Sequence, residues 1–296
     1  MANELKGVCF GEVLFDVFQE HKKIGGAPFN VASRIKSFGE YISIISAVGN
    51  DNDGKKVLEY VSGIGIETST IQVNDKYETG FVQVTLNEEG NASYDISYPS
   101  AWDKIESSKI STSLVKESDF FVYGSLVSRD IVSRNTLYQL IEVAKYKIFD
   151  VNLRFPHYTE NTLIGLMNAA DLIKFNEDEL HEISKFLESN LKSLEQNIKY
   201  ISEKTNTDTI CVTLGPNGAV LYCDKKFYYH SGFNVKVVDT VGSGDSFLAA
   251  LIVTLLAKKD PQEAINFACA IGAIVAQKKG ANPNILLEDI QKKLGA

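Results

Sequence analysis

From residue 119 onward, short apolar runs alternate with longer stretches of helical pattern, and few folds accommodate that rhythm. The runs occupy residues 120–123, 147–151, 171–174 and 209–214, with helical patterns between them, as at 134–144 and 177–187. Such alternation calls for right-handed crossovers and a mostly parallel sheet with helices on both faces. Two long apolar helices are expected near 244–256 and 261–277. The expected fold class is therefore α/β, a doubly wound, mostly parallel sheet.

The first third departs from this rhythm once. A strand pattern over 8–18, interrupted at Gly11-Glu12, leads through Gly25-Gly26 into a helix over 28–38, with Pro28 in its first turn. A β-branched run at 42–48 reads as a buried strand, and a helix follows near 55–61. Residues 81–86 and 92–96 then alternate with period two around Asn87-Glu88-Glu89-Gly90, the signature of an antiparallel hairpin. No repeat or linker interrupts the chain. It reads as one domain over 1–296, with a small β-sheet lid drawn from about 12–25 and 68–102.

The net charge of −8, with both signs interspersed, argues against a nucleic-acid or anionic-membrane surface. It leaves nucleotide binding open, because backbone N–H groups at a helix start hold phosphate without a basic patch. No apolar run reaches the ~18 residues of a membrane span. The N-terminus lacks a basic region before an apolar stretch, so no signal peptide is expected and the cytoplasm is the expected location. Cys9, Cys211, Cys223 and Cys269 form no paired motif and read as reduced thiols. The four histidines show no zinc-ligand spacing.

The strongest local signal is Val237-Val238-Asp239-Thr240-Val241-Gly242-Ser243-Gly244-Asp245-Ser246-Phe247-Leu248, a strand-like end meeting two glycines, an acid and a long apolar helix. Gly242 and Gly244 permit backbone angles that turn successive N–H groups of Gly242, Ser243 and Gly244 into one concavity, an anion hole. Asp245 beside it suits deprotonation of an attacking hydroxyl; it equally suits the helix dipole, and the residues alone leave both open. Gly25-Gly26-Ala27-Pro28-Phe29-Asn30 lets a ligand approach the backbone, with Asn30 one turn into the helix. Asp16 follows a strand, where ligand crevices open in such sheets. Asp150, Asn152 and Arg154 would share one side if their strand continues. In Lys174-Phe175-Asn176-Glu177-Asp178-Glu179 the acids are either first-turn dipole partners or, at Glu179, a water-mediated handle on Mg²⁺.

Two motifs are decoys. Gly49-Asn50-Asp51-Asn52-Asp53-Gly54-Lys55 approximates a Walker A loop, but Lys56 stands where Ser or Thr would bind Mg²⁺ and two acids would repel phosphate. Gly242-x-Gly244 lacks the third glycine of a dinucleotide fingerprint.

Taken together, these segments resemble the ribokinase-like carbohydrate kinases, the phosphofructokinase-B type, over nearly the whole chain. Residues 25–32 resemble the family's N-terminal sugar signature, 239–247 its C-terminal signature, and 213–219 its nucleotide border. Asn176 and Glu179 match its Asn-x-x-Glu motif. Ala27-Pro28 after the double glycine, with Gly11-Glu12, Asp16 and Asp150-x-Asn152-x-Arg154, is similar to fructokinases and 2-keto-3-deoxygluconate kinases; ribokinases usually carry Lys-Gly after the glycines.

The resemblance implies an ATP- and Mg²⁺-dependent kinase acting on a small neutral sugar, D-fructose before ribose or 2-keto-3-deoxygluconate, with Asp245 as base. It implies sugar contacts from Asp16, Gly25, Gly26, Asn30, Asn152, Arg154 and Tyr98, with lid aromatics Tyr94, Tyr98 and Trp102 over the sugar. The nucleotide would meet Lys174, Asn176, Thr213, Gly215, Gly218 and Cys269, the last where relatives often carry Asn. Asp239 and Val241 lie where some members bind a monovalent cation such as K⁺. The lid's exposed edges could pair across a homodimer. A catalytically silent sugar-binding regulator on the same scaffold would have lost Asp245 or a glycine of the hole, and this chain keeps them.

Overall fold

A computed structural model describes residues 4–18, 21–86 and 92–295, with the backbone alone at 84–86 and 92–94. The first half runs β1 (Lys6–Phe10), β2 (Leu14–Val17), β3 (Lys22–Gly25), α1 (Ala27–Ser37), β4 (Tyr41–Gly49), α2 (Asn52–Gly63), β5 (Ile71–Asn74), β6 (Phe81–Leu86), β7 (Ala92–Ile96), α3 (Lys109–Glu117) and β8 (Phe120–Gly124). The second runs α4 (Ile131–Ile141), β9 (Lys147–Asp150), α5 (Glu160–Asn168), β10 (Leu172–Asn176), α6 (Glu177–Phe186), α7 (Leu194–Thr205), β11 (Thr209–Thr213), β12 (Ala219–Cys223), β13 (Lys226–His230), α8 (Ser243–Leu256), α9 (Pro261–Ala276) and α10 (Leu287–Leu294).

Nine strands form one sheet in the order β13-β12-β11-β10-β9-β8-β1-β4-β5. From β11 to β5 every pairing is parallel, and β12 and β13 add antiparallel strands at one edge. The doubly wound sheet expected from the alternating pattern is present. β4 and β8 are buried along almost their full length. Strands covered on both faces need no polar alternation, so they read as continuous apolar runs. The strand order reverses at β1, flanked by β4 and β8, and ligands of such sheets bind outside the carboxyl ends of the strands at the reversal.

A second sheet of four strands has the order β3-β2-β6-β7. The β6–β7 hairpin pairs antiparallel as its alternation predicts, while its turn at 87–90 lies outside the described residues. Two expectations for 68–102 change. β5 pairs with β4 in the large sheet. Trp102 is fully buried, with the Arg129 guanidinium 4.0 Å over its ring. A lone tryptophan between Ala101 and Asp103 gives no sign of its depth; packing decides it. Tyr98 is 59% exposed and donates to Asp130 Oδ2 at 3.1 Å, whereas the Tyr94 side chain lies outside the described residues.

The β12–β13 hairpin carries no turn signal in the sequence. Its two-residue turn, Asp224-Lys225, holds both residues at positive φ without the usual glycine. The backbone also turns at Asn152, at φ 37°, so the alternation read across Asp150, Asn152 and Arg154 ends with β9. At the rejected Walker-like loop, Asp51 caps α2 by accepting from Gly54 N at 2.7 Å. A helix start already occupied by a carboxylate does not cradle phosphate. No described helix is long and apolar enough to cross a membrane.

Candidate active site

The residues singled out by sequence gather at the carboxyl ends of the strands. β1 delivers Gly11 and Glu12, β9 ends on Asp150, β10 carries Lys174 and ends on Asn176, and β11 ends on Thr213. Against this rim the N-terminus of α8 presents Asp245. Residues 247–252 of α8 are apolar and buried, and they hold the helix start in place together with Ser246, whose Oγ accepts from the buried Arg34.

Gly242 precedes α8 at φ 74°, and a methyl group there would lie 2.5 Å from Ala281 Cα. Glycine is therefore required twice, for its angle and for its missing side chain. The Ser243 N–H turns back onto the Thr240 carbonyl at 3.2 Å, and Ser243 Oγ donates to the Gly272 carbonyl at 3.0 Å. Among the described residues the N–H groups of Gly242, Gly244 and Asp245 have no acceptor. The open donors thus differ by one from those read in the motif, because Thr240 closes a turn on Ser243. Lys174 Nζ lies 3.5 Å from where a side chain at Gly244 would begin and bonds Asp150 Oδ1 at 2.9 Å. Burial works against the lysine's charge, but the Asp150 and Glu179 carboxylates outweigh it and keep the ammonium protonated.

Asp245 accepts from Asn30 Nδ2 at 2.8 Å. Burial, with Asp150 nearby, pushes its carboxyl up to about 6, against the pull of Asn30, Lys174 and Arg154. Asp16 is likewise raised to about 6, by burial and despite Arg154 and Lys23. Gly25 lies against Asp16, since a methyl group at Gly25 would meet Asp16 Oδ2 at 2.5 Å. Gly26, at φ 110°, has the Glu12 carbonyl where a side chain would go. Arg154 is exposed, and its Nη1 donates to its neighbour's carbonyl, Leu153 O, at 2.9 Å.

Two clefts open around the turn that leads into α8, one at Ser243 and Gly244 and the other at Asp239 and Val241; Asp245 itself lines neither. One, of about 680 Å³, is lined by Thr213, Gly215, Gly218, Phe233, Ser243, Gly244 and Cys269. The other, of about 860 Å³, is lined by Asp16, Lys23, Asp239, Val241, Gly280 and Asn282 among others. Lys174 and Asn176 stay outside the first wall. Lys174 sits beneath Gly244, and Asn176 caps α6 through its Oδ1, which accepts from Glu179 N at 2.8 Å. Glu179 completes that capping box and also accepts from Leu153 N at 2.9 Å, so each oxygen already holds one N–H. Burial raises its carboxyl. Asp239 similarly takes Val241 N at 3.0 Å and Gly280 N at 2.9 Å. Asp150 Oδ2 is buried without a partner, and no trio of metal-ligating side chains clusters among the described residues. The unpartnered Asp150 Oδ2 fits a water ligand of an Mg²⁺ carried on phosphates.

The profile of the pfkB family carbohydrate kinases matches residues 1–287. The chain belongs to this family of kinases. Fructokinase-2 of Solanum habrochaites is 29% identical over 305 residues, covering 93% of this chain and 92% of that protein. A Pyrococcus horikoshii protein named as a putative sugar kinase is 31% identical over 276 residues, covering 90% and 84%. The solved double mutant of fructokinase from Vibrio cholerae O395, bound to fructose, ADP and a potassium ion, matches with a TM-score of 0.84 at 24% identity over 99% of both chains.

Two residues of the candidate site of this pfkB kinase escaped the sequence reading. Asn282 bonds Asn30 from a loop 252 positions away. Glu12, noted only beside Gly11, is buried with Oε1 accepting from Ala27 N at 3.3 Å and Oε2 unpartnered. Burial raises its carboxyl to about 7, against Arg154 and the N–H bonds it accepts. Because the folded value lies above the ordinary one, its stabilising contribution is full below about pH 4.5 and is lost as pH rises through about 7. Glu12→Gln is therefore expected to match the parent near pH 4 and to exceed it by up to about 3 kcal/mol above pH 8. Urea unfolding at both pH values checks this; equal differences at the two would refute it.

Proposed function

We propose that this pfkB kinase transfers the ATP γ-phosphoryl group to a primary hydroxyl of a neutral hexose in the cytoplasm, with D-fructose as the preferred substrate. The observation that carries the reading is Asp245 at a helix start with open N–H donors, bonded to Asn30 and next to Gly244, which lines the first cleft. The sugar would occupy the cleft beside Asp16, Gly25, Gly26 and Asn30, with Asn152, Arg154 and Tyr98 at its margin. The nucleotide would occupy the cleft of Thr213, Gly215, Gly218 and Cys269. Ala27-Pro28 and the fructokinase names among the relatives support fructose.

Asp245 takes the hydroxyl proton as the oxygen attacks in line, while the α8 N–H groups and Lys174 face charge spreading over the phosphoryl oxygens. Mg²⁺, held through water near Glu179 and Asp150, would supply charge neutralisation on the phosphates. A monovalent cation such as K⁺ is proposed at Asp239 and Val241. The four-stranded sheet acts as the lid of a single domain, excluding water that competes as acceptor. Its edge strands β3 and β7 offer a surface for a homodimer.

The base must be ionised to act, so kcat is expected to fall as pH drops through about 6. A second reading rests on Arg154, whose guanidinium has no carboxylate in salt-bridge contact among the described residues and suits an acidic sugar. ADP release measured side by side with D-fructose, ribose and 2-keto-3-deoxygluconate separates the readings. Fructose turnover well above both others is expected; activity confined to a sugar phosphate would overturn the neutral-sugar assignment.

A further inference from the structure

Asn30 faces Asp245 with a carboxamide, and a carboxamide has two opposite ends. Turned one way it donates to the carboxylate; turned the other way it sets oxygen against oxygen and favours the protonated acid. Asn282, between α9 and α10, decides the direction: its Nδ2 donates to Asn30 Oδ1 at 2.8 Å, leaving Asn30 Nδ2 for Asp245 Oδ2 at 2.8 Å. The arrangement has a cost, because Asn282 Oδ1 is buried without a partner. Its loop is clamped on both sides. Gly280 N donates to Asp239 Oδ2 at 2.9 Å, and the buried Arg34 reaches Pro283 O at 3.0 Å and Ser246 Oγ at 3.1 Å. Arg34 thus joins the loop to the first turn of α8, next to Asp245.

We propose that Asn282 is a positioning residue for phosphoryl transfer, orienting the Asn30 carboxamide so that it donates to the base. The inference rests on Asp245 being that base. Other groups facing Asp245 are Asp150 and Lys174 from β9 and β10, Arg154 beyond β9, and Glu12 beyond β1. None of them changes when Asn282 is replaced.

The test is kcat against pH for Asn282→Leu and Asn282→Asp, with ATP and the best sugar of the ADP-release panel. The leucine variant adds no charge. It is expected to lose about tenfold in kcat and to move the acid limb up by about one pH unit, with the KM for ATP nearly unchanged. The aspartate variant, close in shape but an acceptor, is expected to turn Asn30 round and move the limb further. A parallel Glu12→Gln series removes the other carboxyl titrating near 7. Acid limbs at the parent's pH in both variants, or an effect confined to the sugar KM, would overturn the proposal. An unmoved limb with lowered melting temperature marks a structural role and overturns it equally. If Asp245→Asn is inactive while the Asn282 limbs stay put, only this inference fails; if Asp245→Asn turns over normally, the base assignment itself fails.

Discussion

Asp245→Asn is expected to lower kcat by about 10²–10⁴, the usual worth of a positioned general base. The substitution keeps the size of the side chain and an oxygen that can accept from Asn30, so the 2.8 Å contact has a substitute and the fold should survive. What disappears is the ability to take a proton near neutral pH. KM for ATP should stay close to the parent value, because the nucleotide cleft and the open N–H groups of α8 are untouched. Steady-state kinetics with thermal unfolding as a control decide it. Turnover within threefold of the parent would mean that Asp245 serves the helix dipole and some other group accepts the proton.

Gly242→Ala is expected to act through the backbone instead. The added methyl group would lie 2.6 Å from the Ala281 carbonyl oxygen and 2.7 Å from Ala281 Cβ, at a φ of 74° that L-residues rarely adopt. Relief requires moving either the α8 start or the loop that bears Asn282. Either movement takes N–H donors away from the phosphoryl group, and losing one such donor costs about 10²–10³ in kcat. Unlike Asp245→Asn, this variant should also lose stability, by about 1–3 kcal/mol for a strained residue. The pairing of both losses is the discriminating result. A stable variant with normal kcat would show that the turn before α8 is free to adjust and that its N–H groups are not needed.

The doubly wound sheet was legible because its strands are short and buried on both faces and its helices are long; the two periods differ enough to survive any reasonable error at their ends. The 239–247 segment was legible for a related reason. A turn that needs positive φ at Gly242 and a long buried helix behind it must write both demands into adjacent residues. The β12–β13 hairpin was not, since Asp224 and Lys225 adopt glycine-like angles under the constraint of the paired strands. Nor was the depth of Trp102, or the departure of β5 from the small sheet to the edge of the large one.

At the site the same division holds. Sequence by itself determined that an acid would stand at the start of a buried helix beside two glycines, and that a second glycine pair would open another helix carrying Asn30. Only the tertiary structure decided that Asn30 bonds Asp245 across 215 positions and that Asn282 bonds Asn30 across 252. Only it decided that Ser243 turns its N–H inward and that Glu12 is buried with a carboxyl raised to about 7. Local backbone demands are recorded in neighbouring residues. A hydrogen bond between distant side chains, or a carboxylate's loss of water, depends on which surfaces the fold brings together, and no stretch of neighbours carries that information.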